Sequence, residues 1–186
     1  DEDVERLFGS FQTMQLAVLQ EFARPIPGKL DVQQELRERG IKIGSTTGYL
    51  RSMMDVLVPA AMEYGYDPDC VVCPDETAAG RPFPWMCYLN AIRLGVYPMQ
   101  AMVKVGDTLV DMEEGVNAGM WTVGLSQTGN LMGLSEAEVA AMPAEERLAA
   151  NRRIANQLYA AGAHLVIDGI WDLPAALAEI EDRLKG

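Results

Sequence analysis

Apolar positions at Val4, Leu7, Phe8, Phe11, Met14, Val18 and Leu19 recur at helical spacing, with Asp1, Glu2 and Asp3 ahead of them. That pattern predicts a helix over residues 4–22 with acids at its positive end. Arg24-Pro25-Ile26-Pro27-Gly28 breaks it. A second helix is expected over residues 29–39, stopped by Gly40 as C-cap. From there short apolar runs alternate with helical patterns. Strands are expected at residues 41–47, 70–73, 102–105, 121–125 and 164–168, and helices at 50–64, 84–94, 111–118, 144–161 and 173–184. Residues 126–143 read as a long loop holding one short helix, opened by the capping box Ser135-x-x-Glu138.

Strand following helix following strand means parallel βαβ units, hence an α/β fold with a doubly wound parallel sheet. Ligands of such sheets bind beyond the carboxyl ends of the strands. Composition adds limits. With 186 residues and 49% hydrophobic content, the chain can bury one substantial core. A net charge of −12 argues against a nucleic-acid surface, so any phosphate site must be built locally. No apolar run approaches the roughly 18 residues of a membrane span, and no signal peptide opens the chain, which begins without Met at a processing or other boundary. Three cysteines, Cys70, Cys73 and Cys87, cannot all pair and point to a reducing, cytoplasmic compartment. Cys70-x-x-Cys73 lacks the further ligands of a zinc site. The only histidine, His164, opens an apolar strand and reads as structural.

Three strand ends carry candidate chemistry. In Gly106-Asp107-Thr108-Leu109-Val110-Asp111 the glycine allows a sharp turn, Asp107 stands at the strand tip and Asp111 begins the next helix. Two such carboxylates suit Mg²⁺, and they equally suit an N-capping Asp followed by a solvated first-turn Asp. In Gly44-Ser45-Thr46-Thr47-Gly48-Tyr49, hydroxyls and a flexible backbone open a helix, as a phosphate site or as an ordinary cap. In Ala79-Gly80-Arg81-Pro82-Phe83-Pro84-Trp85, Arg81 is a cation on a stiff loop, there to bind phosphate oxygens or simply to face solvent. None decides singly, but their order and placement do.

That succession matches the second, third and fourth motifs of the haloacid dehalogenase superfamily. The wording is narrower still: residues 37–49, Gly80-Arg81-Pro82-Phe83-Pro84-Trp85-Met86-Cys87-Tyr88, Leu94-Gly95-Val96-Tyr97-Pro98-Met99, Lys104-Val105-Gly106-Asp107-Thr108 and residues 117–124 resemble phosphonoacetaldehyde hydrolases. The resemblance covers essentially the whole chain. It implies that Thr47 and the Gly48 N–H contact the phosphoryl oxygens, that Tyr49 follows in the substrate pocket, and that Arg81 neutralises the transferring group. It further implies that Asp107 ligates Mg²⁺, with Asp111 behind it holding the metal's waters or the neighbouring cation. The implied reaction cleaves the carbon–phosphorus bond of phosphonoacetaldehyde to acetaldehyde and phosphate, through a Schiff base and an aspartyl phosphate.

Two parts of that family's machinery have no counterpart here. No Asp-x-Ala-Gly-Thr nucleophile motif precedes Gly44, and the Schiff-base Lys of the cap domain is absent. Residues 1–23 match the last helix of the inserted helical cap, and residues 24–186 the core without its first strand. That strand belongs between those ending at Thr47 and Asp107, so two edges are expected to lack partners and the chain to be part of a longer product. The expected partners are a small-molecule phosphonate and a second copy through the cap helices, with no nucleic acid and no membrane. Two other outcomes stay open: a phosphatase or phosphomutase of the same superfamily acting on a phosphate ester, and a non-catalytic module for binding or dimerisation.

Overall fold

The computed structural model describes residues 19–185. Residues 4–18 of the expected first helix lie outside them, and Leu19–Phe22 forms a 3-10 turn. The regular elements are α1 (Lys29–Glu38), β1 (Gly44–Thr46), α2 (Arg51–Met62), β2 (Cys70–Val72), α3 (Trp85–Leu94) and β3 (Val103–Gly106). They continue with α4 (Leu109–Ala118), β4 (Trp121–Leu125), α5 (Glu136–Ala141), α6 (Ala144–Ala160), β5 (Leu165–Ile167) and α7 (Leu173–Lys185).

Every expected strand and helix after residue 28 is present, with ends shifted for local reasons. β1 is shorter than its apolar run because the ladder starts only at Gly44. Before it, Ile43 is fixed instead by Asp69, whose N–H donates to the Ile43 carbonyl and whose carboxylate accepts the Ile43 N–H, both at 2.7 Å. α4 starts two residues before Asp111 because Thr108 is its N-cap. Gly95 and Gly119 end α3 and α4 at φ of 64° and 74°, a left-handed conformation that glycine adopts without a Cβ clash.

All the strand pairs are parallel. β1 pairs with β2 from Gly44 opposite Cys70 to Thr46 opposite Val72. β3, β4 and β5 form a second sheet in that order, with Gly106 opposite Gly124 and Leu125 opposite Ile167. Helices cover both faces of this second sheet, which makes the architecture α/β and doubly wound. On one face Val32 and Leu36 of α1 and Leu173, Ala176 and Ile180 of α7 pack on Val123 and Leu165. On the other, Met112 of α4 meets Ile154 and Leu158 of α6. Met112, Val123 and Leu158 are fully buried, and burial of each contributes roughly 1.5–3 kcal/mol.

Ile41 and Ile43 ahead of β1 pack on the same apolar cluster as Val103 and Val105 of β3. The two sheets therefore share a core. They do not share a ladder, since β1 and β3 are not hydrogen-bonded to each other. Between them lies a cavity of about 880 Å³, lined by residues 40–48 on one side and 100–107 on the other. Among the described residues no helix is long and apolar enough to cross a membrane.

Candidate active site

The carboxyl ends of β1 and β3 open on the same side of this cavity, and the strand-end residues singled out in the sequence meet there. Thr47, Gly48, Arg81, Asp107 and Asp111 all line it. Tyr49 lies on the same loop but not on the cavity wall.

Leaving β1, the chain turns at Thr47, whose hydroxyl accepts the Tyr49 N–H at 3.0 Å. Gly48 then passes so close to Arg81 that a Cβ there would lie 2.8 Å from Nη2. Arg81, on the loop before α3, directs its other terminal nitrogen to Asp111, with Nη1 donating to Oδ1 at 2.6 Å. One guanidinium thus bonds the helix after β3 and stands beside the turn after β1.

Gly106 lets β3 end against α4, because a side chain there would collide with Asp111. Asp107 follows, half-buried, its Oδ2 accepting the Asn130 N–H at 2.7 Å from the loop after β4. Thr108 and Asp111 form a reciprocal capping box, with the Thr108 hydroxyl 2.6 Å and its N–H 3.2 Å from Asp111 Oδ2. Asp111 is 5% exposed, which excludes a solvated first-turn Asp. Burial pushes its carboxyl up, but the Lys104 ammonium, the Thr108 hydroxyl and the Arg81 guanidinium outweigh that and hold it below the ordinary Asp range. At neutral pH it is a carboxylate already committed to two cations.

Lys104 and Glu114 are the residues that sequence reasoning missed. Lys104 Nζ lies 2.5 Å from Glu114 Oε2, 2.6 Å from Thr46 Oγ1 and 3.3 Å from Asp111 Oδ1. The signal for Lys104 was a charged residue inside an apolar run, Met102-Val103-Lys104-Val105, where a strand covered on both faces leaves little room for one.

For a hard cation the described residues supply Asp107 as one oxygen donor. Among them no group of three or more His, Cys, Asp or Glu side chains is placed to hold a metal ion. Mg²⁺ needs only one or two carboxylates beside water and phosphate oxygens, so Asp107 fits as a ligand and not as a complete site. The cysteines are free; burial pushes the Cys73 thiol up to about 11 and the Cys87 thiol up to about 12, which leaves both protonated. His164 is structural, its Nδ1 accepting the Thr122 N–H at 3.1 Å.

A doubly wound sheet with a hydroxyl, a cation and an acid at successive strand ends defines a class, and the haloacid dehalogenase-like hydrolase family model matches residues 1–119. The chain is 56% identical over 161 residues to a phosphonoacetaldehyde hydrolase-like protein of Syntrophobacter fumaroxidans, covering 87% of this chain and 58% of that one. It is 47% identical over 183 residues to a phosphonoacetaldehyde hydrolase of Bacillus thuringiensis, covering 98% of this chain and 69% of that one. A crystal structure of a phosphonoacetaldehyde hydrolase-like protein from Oleispira antarctica superposes with a TM-score of 0.95 at 38% identity, over 99% of this chain and 67% of that one. The chain belongs to the haloacid dehalogenase-like hydrolases and, within them, to the phosphonoacetaldehyde hydrolase family. It spans between 58% and 69% of the length of these relatives.

Proposed function

We propose that this chain forms the phosphoryl-binding part of a Mg²⁺-dependent phosphonoacetaldehyde hydrolase, which cleaves a carbon–phosphorus bond to give acetaldehyde and phosphate. The observation that carries the reading is the convergence of Thr47, Gly48, Arg81 and Asp107 on one cavity at the carboxyl ends of β1 and β3. Thr47 and the Gly48 N–H supply donors for phosphoryl oxygens, and Arg81 Nη2 adds positive charge beside them. Asp107 would hold one position on Mg²⁺, which would supply charge neutralisation for the transferring group. Asp111 keeps Arg81 in place.

The chemistry requires more than this cluster. A carbanion leaving group is too basic to depart unaided, so an amine must first condense with the aldehyde and take the carbon–phosphorus electron pair into an enamine. A carboxylate must accept the phosphoryl group and release it to water. The family resemblance assigns these roles to a cap-domain Lys and a first-strand Asp outside this chain. The cavity between β1 and β3 supports that reading, because among the described residues each strand leaves the edge that faces it unpaired. In this reading two copies pair through the cap domain, residues 24–186 belong to the core, and three free cysteines suit the cytoplasm.

The test is acetaldehyde and phosphate release by the full-length polypeptide that contains this chain. Release should require Mg²⁺, stop in chelator, and fall at least roughly a hundredfold in Asp107→Ala. Borohydride with substrate should trap an amine adduct on the protein. Hydrolysis of phosphate esters without acetaldehyde release from the phosphonate would replace this reading with an ester phosphatase.

A further inference from the structure

Behind the phosphoryl-binding residues lies a second layer of charge with no part in the chemistry above. Lys104 stands in the middle of β3, 8% exposed, and Glu114 on α4 is fully buried. Lys104 reaches its partners by running beneath α4 at Gly115, where a Cβ would lie 2.8 Å from the Lys104 Cβ and would collide with the Thr122 methyl. Its ammonium then meets Glu114, Thr46 and Asp111. Glu114 Oε1 is buried without a hydrogen-bond partner. Lys104 is therefore the cation that meets the Glu114 charge in the described structure.

Two acids, Asp111 and Glu114, and two cations, Arg81 and Lys104, make the cluster neutral. The division of labour follows from the atoms. Asp111 Oδ2 is occupied by Thr108, and Oδ1 is shared between Arg81 Nη1 at 2.6 Å and Lys104 Nζ at 3.3 Å. With Lys104 answering Glu114 and part of Asp111, Arg81 needs only one of its terminal nitrogens for the protein. Nη2 stays beside Gly48. Without Lys104, two buried acids would draw on a single guanidinium and pull it inward, away from the turn after β1.

We propose that Lys104 and Glu114 are a positioning pair that fixes Asp111 and thereby keeps Arg81 Nη2 directed at the Gly48 turn. The functional half of this inference rests on the reading of that turn as a phosphoryl site.

The test uses the full-length polypeptide, inorganic phosphate titrated in a calorimeter, and side-chain NMR of the Arg81 guanidinium, which needs no ligand. Lys104→Met leaves Glu114 uncompensated and should lower the thermal midpoint. The double variant Lys104→Met with Glu114→Gln removes both charges. It should recover the midpoint, but Asp111 Oδ1, no longer shared with Lys104, then draws on Arg81 alone, so phosphate should bind roughly tenfold more weakly than to the parent, with shifted Arg81 signals. A double variant with parental phosphate affinity and unshifted Arg81 signals overturns the proposal and leaves the pair a stabilising ion pair only. Glu114→Gln, which keeps the side-chain volume, covers the case of a double variant that does not fold. It should shift the Arg81 signals, and unchanged signals overturn the pair. A parent that binds no phosphate refutes the phosphoryl-site reading instead, and the NMR outcome then decides the positioning role alone.

Discussion

Arg81 divides one guanidinium between two directions, Nη1 toward Asp111 and Nη2 toward Gly48. A lysine has one point of charge and cannot serve both, so charge alone does not conserve the function. Arg81→Lys in the full-length polypeptide should lower kcat/KM roughly 10- to 100-fold with the fold intact; parental kinetics would show that the fork is dispensable. The residues facing the cavity were legible in the sequence because chemistry at strand ends leaves a local mark: a hydroxyl and glycine at Thr47 and Gly48, a cation ahead of two prolines at Arg81, a Gly-Asp step at Asp107. The layer behind them was not. Lys104 finds its partners 10 and 58 residues away, at Glu114 and Thr46, and no local pattern encodes contacts at those separations. Of the Asp111 environment a neighbouring cation was expected, and only through the family resemblance; its burial was hidden, since helical spacing places it on α4 but does not show which face of α4 is covered.

At the scale of elements, Glu76 does for β2, α2 and α3 what Asp111 does for the loops around the cavity. It ends the 3-10 turn Pro74–Glu76, accepts the Cys73 N–H at 2.7 Å, and pairs with Arg51 at the start of α2 and with Arg93 of α3. Burial raises its carboxyl, but the Cys73 N–H and the two guanidinium groups outweigh that and bring it to about 2, against an ordinary value of 4.5. Its folded pKa is depressed, so its contribution is complete above about 4.5 and is lost as pH falls toward 2. Urea midpoints of the full-length polypeptide should therefore drop across that window. Glu76→Gln should start lower at pH 7 and fall less steeply; an equal slope would remove Glu76 from the account. Element order was readable after residue 28 because the switch between strand and helix patterns is strong. Element ends were less so: the Thr108-x-x-Asp111 capping box moved the start of α4 to Leu109, and the Asp69 contacts to Ile43 took the place of a longer β1.

At the scale of the molecule, the line between β1 and β3 is a break in the strand ladder. β4 has strands on both sides, whereas among the described residues β1 and β3 each have one partner and face the cavity with the other edge. Amide exchange on the isolated 186 residues should therefore protect β4 most, with β1 and β3 exchanging markedly faster. Equal protection of all three strands, in one cooperative unit, would mean that the seam is closed by contacts other than a strand. The doubly wound class was readable from strand and helix alternation; the division into two sheets was expected only through the family resemblance, which places a further strand between those ending at Thr47 and Asp107, since alternation gives the kind of pairing and leaves the neighbours open.

An unpaired strand edge with apolar flanks accepts whichever extended segment reaches it first, including one from another copy. The seam that would receive a strand of the same polypeptide is thus also a place where copies of this chain, held apart from that strand, could template one another into aggregates. A net charge of −12 opposes such encounters through mutual repulsion, and added salt weakens that protection. The solubility of the isolated chain is on this account a matter of ionic strength as much as of folding.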